Sequence, residues 1–169
     1  RYMKTFKEYL TTFILFVIIA IITFYEVYNG SKVFVSGDTL SPIAIRDGIQ
    51  NFVKLHGYYP YWLPWIFSGM PTADAFTYIS SLYFPNYILN LFSFSSNLTQ
   101  LLHLLFSGIG SYLFLRFIGV KTISAFLGGS AFMLTPFMIT MIVFGHGSQV
   151  MTAAYIPWIV WALLKLKDE

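Results

Sequence analysis

Leu10-Thr11-Thr12-Phe13-Ile14-Leu15-Phe16-Val17-Ile18-Ile19 opens an apolar run that continues to Tyr28, and its reading decides the fold. A bilayer core about 30 Å thick needs roughly 20 consecutive apolar residues in a helix. The run over 10–28 meets that need, with Glu26 as its one charged residue. It carries Phe and Tyr throughout, and no small-residue cleavage site follows it. It therefore reads as a retained span and not as a cleaved signal peptide.

Working outward, three more runs of this kind appear, at 98–118, 123–144 and 150–166. The fourth is short and contains Pro157, so a kink or a tilt is expected there. Composition agrees with four spans. Of 169 residues, 57% are hydrophobic and only 10% charged, against about 25% charged in soluble domains. No sizeable water-soluble domain fits in such a chain. Cysteine is absent, which excludes disulfides, a thiolate nucleophile and a thiolate metal site. The net charge of +3 rests on ten basic residues, several of them flanking spans. Anionic headgroups account for such residues, and no nucleic-acid partner is implied.

The basic residues orient the spans. Arg1, Lys4 and Lys7 precede the first, Arg116 and Lys121 lie between the second and third, and Lys165 and Lys167 follow the fourth. If every span crosses, all seven fall on one side, and the positive-inside rule makes that side the cytoplasm. Both ends are then cytoplasmic, with 29–97 and 145–149 outside. The expected fold is an all-α polytopic membrane protein, one membrane domain over 1–169. It has four transmembrane helices and a long outer loop containing short interfacial helices.

That loop, 29–97, is too long for a structureless connection and is rich in Tyr, Trp and Phe. Ser41-Pro42 reads as a helix start. Ile45, Ile49, Phe52 and Val53 follow at helical spacing, with Arg46, Asp47, Gln50, Asn51 and Lys54 on the other face. The spacing predicts a short helix lying on the membrane surface, ended by Gly57. A second interfacial helix is expected over 82–94, with Pro85 near its start.

Five side chains are candidates for chemistry. Asp38, in Ser36-Gly37-Asp38-Thr39-Leu40-Ser41-Pro42, is a carboxylate just outside the first span. It reads as a catalytic base or as the ligand of a divalent ion such as Mg or Mn. It also reads as turn chemistry, bonded to its own backbone. Arg46 and Asp47 can bind a phosphate or position a substrate, or can be the solvated face of a helix. Asp74 can approach Asp38 across a cleft, or can cap a helix. His146 sits in Gly145-His146-Gly147-Ser148-Gln149, where an imidazole can bind phosphate, share a proton or hold a metal. It can also be the polar tip of a tight turn. His103 stands alone inside the second span, placed for a helix–helix hydrogen bond.

Three features together resemble a known family. They are Gly37-Asp38 after the first span, the stretch Tyr59-Pro60-Tyr61-Trp62-Leu63-Pro64-Trp65-Ile66-Phe67-Ser68-Gly69-Met70-Pro71, and the Gly145 to Gln149 turn. The chain resembles the N-terminal part of the YfhO family of bacterial membrane proteins. That family is similar to the GT-C glycosyltransferases, which take sugars from polyprenyl-phosphate donors. The resemblance implies a bacterial inner-membrane protein and a bilayer partner. It implies a lipid-linked sugar as substrate, a cell-envelope acceptor, and Asp38 as the essential carboxylate. Where relatives follow Gly-Asp with Gln-Tyr, this chain has Thr39-Leu40, so contacts tied to that pair do not carry over. The resemblance also implies further spans, so the chain is expected to be part of a longer protein and inactive alone. Two other classes fit the same composition: a lipid-linked sugar flippase or transporter, and a non-catalytic membrane assembly module.

Overall fold

The computed structural model describes residues 2–33, 35–72, 83–91 and 96–168. Helix α1 (Tyr2–Thr23) is followed by a short α2 (Tyr25–Tyr28) and by α3 (Gly37–His56). A two-stranded antiparallel hairpin, β1 (Trp62–Leu63) and β2 (Met70–Pro71), comes next, and then α4 (Phe84–Leu91). Helices α5 (Ser96–Phe117), α6 (Thr122–Met133), α7 (Pro136–Val143), α8 (Gly147–Ala153) and α9 (Ile156–Asp168) complete the order. The chain divides into two compact units, 1–34 with 95–169, and 35–94.

In the first unit, four helical segments are long and apolar enough to cross a membrane: Phe6–Thr23, Leu98–Phe117, Thr122–Val143 and Gly147–Lys167. The first lies a few residues earlier than the hydropathy pattern places it. Helix α1 runs through Lys7 and Glu8 and stops at Thr23, so Glu26 belongs to α2. There Glu26 pairs with Lys32 at 2.5 Å, both exposed.

Two of the spans are interrupted, each at a proline. Pro136 has no N–H to give the carbonyl of Phe132. That oxygen accepts the Thr135 N–H at 3.3 Å instead, and α6 ends. Thr135 then caps α7, its hydroxyl oxygen accepting the Met138 N–H at 3.4 Å. The kink expected in the fourth span is a break between α8 and α9 at residues 154–155, with Pro157 the second residue of α9. At that break the Tyr155 N–H donates to the Thr152 carbonyl at 3.1 Å. The break in the third span was not expected.

Small residues set how closely these helices approach. A Cβ on Gly129 of α6 would lie 2.7 Å from the Gly108 carbonyl oxygen of α5 and 2.8 Å from the Phe16 ring. Only glycine allows that backbone contact, the usual device for joining helices where no hydrophobic force separates protein from lipid. Phe16 is fully buried there, its ring 6.2 Å from Tyr112 and 5.0 Å from Phe126. Gly110 plays the same part toward α9. A Cβ would collide with the Trp158 indole, which donates from Nε1 to the Phe106 carbonyl at 2.9 Å and stacks on the Phe106 ring at 4.5 Å.

The second unit is built on α3. It begins at Gly37, four residues before the Ser41-Pro42 signal. The Leu40 N–H donates to the Ser36 carbonyl, and the Ser41 hydroxyl bonds back to the Gly37 carbonyl at 3.0 Å. Gly57, at φ +75°, ends the helix as the sequence suggests. The apolar face of α3 is covered from within the unit. Ile49 and Leu63 are buried together, with Ile45, Val53, Ile66 and Met70 packed around them. The hairpin therefore occupies the face that its spacing assigned to the membrane surface. Helix α4 matches the described part of the expected 82–94 helix, with Pro85 in its first turn.

Candidate functional site

Helix α3 carries three of the five candidate side chains. Asp38 is exposed in its first turn. A carboxylate in the first turn lies near the positive pole of the helix dipole, a placement generally worth about 0.3–1 kcal/mol at a surface. Lys54 and His56 in the last turn complement the opposite pole. Asp38 thus lies in a helix start, and residues 37–40 are helical where the alternative reading has a turn.

Arg46 and Asp47 come eight and nine residues later, about 12 Å along the axis. They contact each other. Nε and Nη2 of Arg46 both reach Oδ1 of Asp47 at 3.4 Å, with both side chains exposed. Such a pair contributes about 0–1 kcal/mol, so either group can be recruited by a ligand at small cost. Asp74 lies outside the described residues.

His146 belongs to the other unit, at the position before α8. Its backbone N–H donates to the Met141 carbonyl at 2.7 Å, and its own carbonyl accepts the Gln149 backbone N–H at 3.0 Å. Gly145 supplies the positive φ of +88° that the turn needs. Gly147 is buried against the Gln100 side chain, whose amide nitrogen would lie 2.2 Å from an added Cβ. Both glycines that flank the imidazole are thus used by the packing of the turn. His103 is buried in α5, its Nδ1 2.7 Å from the Thr99 carbonyl of the same helix. Its ring also meets Tyr155 edge-on at 6.2 Å.

Among the described residues no three His, Asp or Glu side chains gather as a metal-binding group. Two apolar grooves lie in the first unit. One, of about 260 Å³, is lined by Ser111, Phe114, Gly128, Phe132 and Pro157 among others. The second, of about 240 Å³, lies beside Tyr9, Phe16 and Tyr112. Neither contains Asp38, Arg46, Asp47 or His146.

One polar cluster was missed by sequence reading. Oε1 of Glu8 accepts from the Thr122 hydroxyl at 2.8 Å, the Tyr112 hydroxyl at 3.2 Å and Arg116 Nη2 at 3.1 Å. Arg116 Nη1 in turn donates to the Val120 carbonyl at 2.7 Å. The cluster ties α1, α5 and the start of α6 together at one end of the first unit. Its only sequence signal is an acid, Glu8, directly after Lys7 on the side where Arg116 is expected.

The hairpin is the other structured element. The Thr72 hydroxyl donates to the Pro60 carbonyl, both residues buried. Its tip holds Phe67 at φ +46° and Ser68 at φ +63°. Side chains in that region cost about 1–3 kcal/mol each and persist only where the surroundings impose them. Gly69, at φ +117°, lies flush against the Trp62 indole, leaving no room for a Cβ.

Comparison of the chain with family models, with curated proteins and with solved structures finds no match.

Proposed function

We propose that this chain is the N-terminal membrane portion of a GT-C-like, YfhO-like protein of the bacterial inner membrane. Its ends are cytoplasmic and its second unit lies outside. The protein transfers a sugar from a polyprenyl-phosphate donor to a cell-envelope acceptor. The observation that carries the reading is the setting of Asp38. It is an exposed carboxylate in the first turn of α3, separated from the first membrane-length segment only by the short α2 and the link 29–36. The resemblance expects the essential carboxylate of the family at that point of the chain.

In this reading the Asp38 carboxylate takes the proton of an acceptor hydroxyl, which must come within about 3 Å of it. The hydroxyl oxygen attacks the anomeric carbon. The bond from that carbon to the phosphate oxygen breaks, and the electron pair leaves with the polyprenyl phosphate. Arg46 is the cation suited to the charge on the departing phosphate, exchanging its exposed contact with Asp47 for the ligand.

Replacing Asp38 by Asn in the complete reading frame tests this. Loss of a general base lowers the transfer rate on the order of a hundredfold or more, with membrane insertion unchanged. Transfer at near wild-type rate would reduce Asp38 to a helix-start residue. The assembly-module reading has one observation in its favour: the N-terminal pole of α3 is by itself sufficient reason for a carboxylate at this position.

A further inference from the structure

We propose that the hairpin over 57–72 is a membrane-interface anchor, seated in the headgroup layer of the bilayer that the spans cross. The proposal rests on the spans crossing and is independent of the transferase reading. The stretch contains six aromatic residues and no charged one. Its inner side is fixed, since Leu63 and Pro60 are fully buried and Leu63 packs with Ile49 of α3. Its outer side is aromatic and open. Tyr61 is 84% exposed, Phe67 78% and Trp62 55%, with Trp65, Tyr58 and Tyr59 beside them in the sequence and also exposed. Rings with one apolar and one polar end are the residues that favour the headgroup level.

Two more observations favour lipid as the occupant. The left-handed backbone at Phe67 and Ser68 sits at the tip, where it accompanies the outward exposure of Phe67. The unit is also joined at both ends to membrane-length segments, Phe6–Thr23 before it and Leu98–Phe117 after it. That double tether holds it near a bilayer surface at high effective concentration. The charged side chains described in this unit, Asp38, Arg46, Asp47 and Lys54, are all on α3.

The chain has no cysteine, so single nitroxide labels can be placed without background in the protein reconstituted in phosphatidylcholine–phosphatidylglycerol bilayers. Labels at Phe67→Cys and, with the tip residue retained, at Tyr61→Cys should collide severalfold less with a water-soluble nickel chelate than a label at Lys54→Cys. They should collide more with oxygen. Ile14→Cys marks the bilayer interior. Chelate access at Phe67 and Tyr61 equal to that at Lys54 would overturn the anchor. Protection from both chelate and oxygen would mean that a second copy covers the tip, and would overturn it as well. Free chelate access at Ile14 would remove the crossing on which the proposal rests.

Discussion

The two units bury apolar surface in different ways. In the first, helices meet through glycine, as at Gly129 against the Gly108 carbonyl and Gly110 against Trp158. The large side chains left outside are mainly aliphatic, such as Ile14, Ile18, Ile22, Leu127 and Leu163. In the second, one helix face is closed by a hairpin around Leu63, and the side chains left outside that hairpin are aromatic. Aliphatic surface around glycine-packed helices suits hydrocarbon. Tyr and Trp surface suits the boundary where one end of the ring is wet. The difference teaches that what remains exposed reports the solvent of each unit, as directly as what is buried reports its core.

The largest effect expected from a single change falls on the glycine-packed unit. Gly129→Leu forces α5 and α6 apart against a backbone oxygen, and should destabilise that unit by about 3 kcal/mol or more. Loss of a monodisperse species in detergent checks this, while unchanged thermal unfolding would break the contrast between glycine and hairpin packing. Leu63→Ala should cost roughly 2–4 kcal/mol, confined to the second unit. Faster hydrogen exchange in α3, with α5 and α6 unchanged, is the expected pattern. Exchange that rises in both units together would show that they fold as one. The smallest effect concerns the polar cluster. Arg116→Ala leaves Glu8 with two hydroxyl donors and should cost roughly 1–2 kcal/mol, because both charged groups are partly exposed. Thermal unfolding of the variant measures it.

Much of the first unit was legible because membrane spans are set by length and hydropathy, which need no knowledge of partners. Pro136 was legible as a letter but not as a break, since it sits within an apolar run long enough to span. The periodic face of α3 was legible at Ile45, Ile49 and Val53. Its partner was not, because nothing local links Ile49 to Leu63 across the chain. The start of α3 was displaced because Ser41-Pro42 has the composition of a cap, whereas the Ser41 hydroxyl bonds back within the helix. Of the candidate site, Asp38 and the Arg46–Asp47 pair could be picked out by residue type. The Glu8 cluster could not, because a flanking carboxylate looks alike whether it is solvated or receives three donors from other helices.

Side-specific thiol labelling tests the contrast between the units most directly. With no native cysteine, Lys54→Cys in the second unit and Lys167→Cys after the fourth span can each be exposed to a membrane-impermeant maleimide in intact cells whose outer membrane has been made permeable. Four crossings place these positions on opposite faces. Lys54→Cys should react at once, and Lys167→Cys only after the inner membrane is opened. Reaction of both, or of neither, before opening would put them on one side and contradict the four-span topology, and with it the outer placement of Asp38.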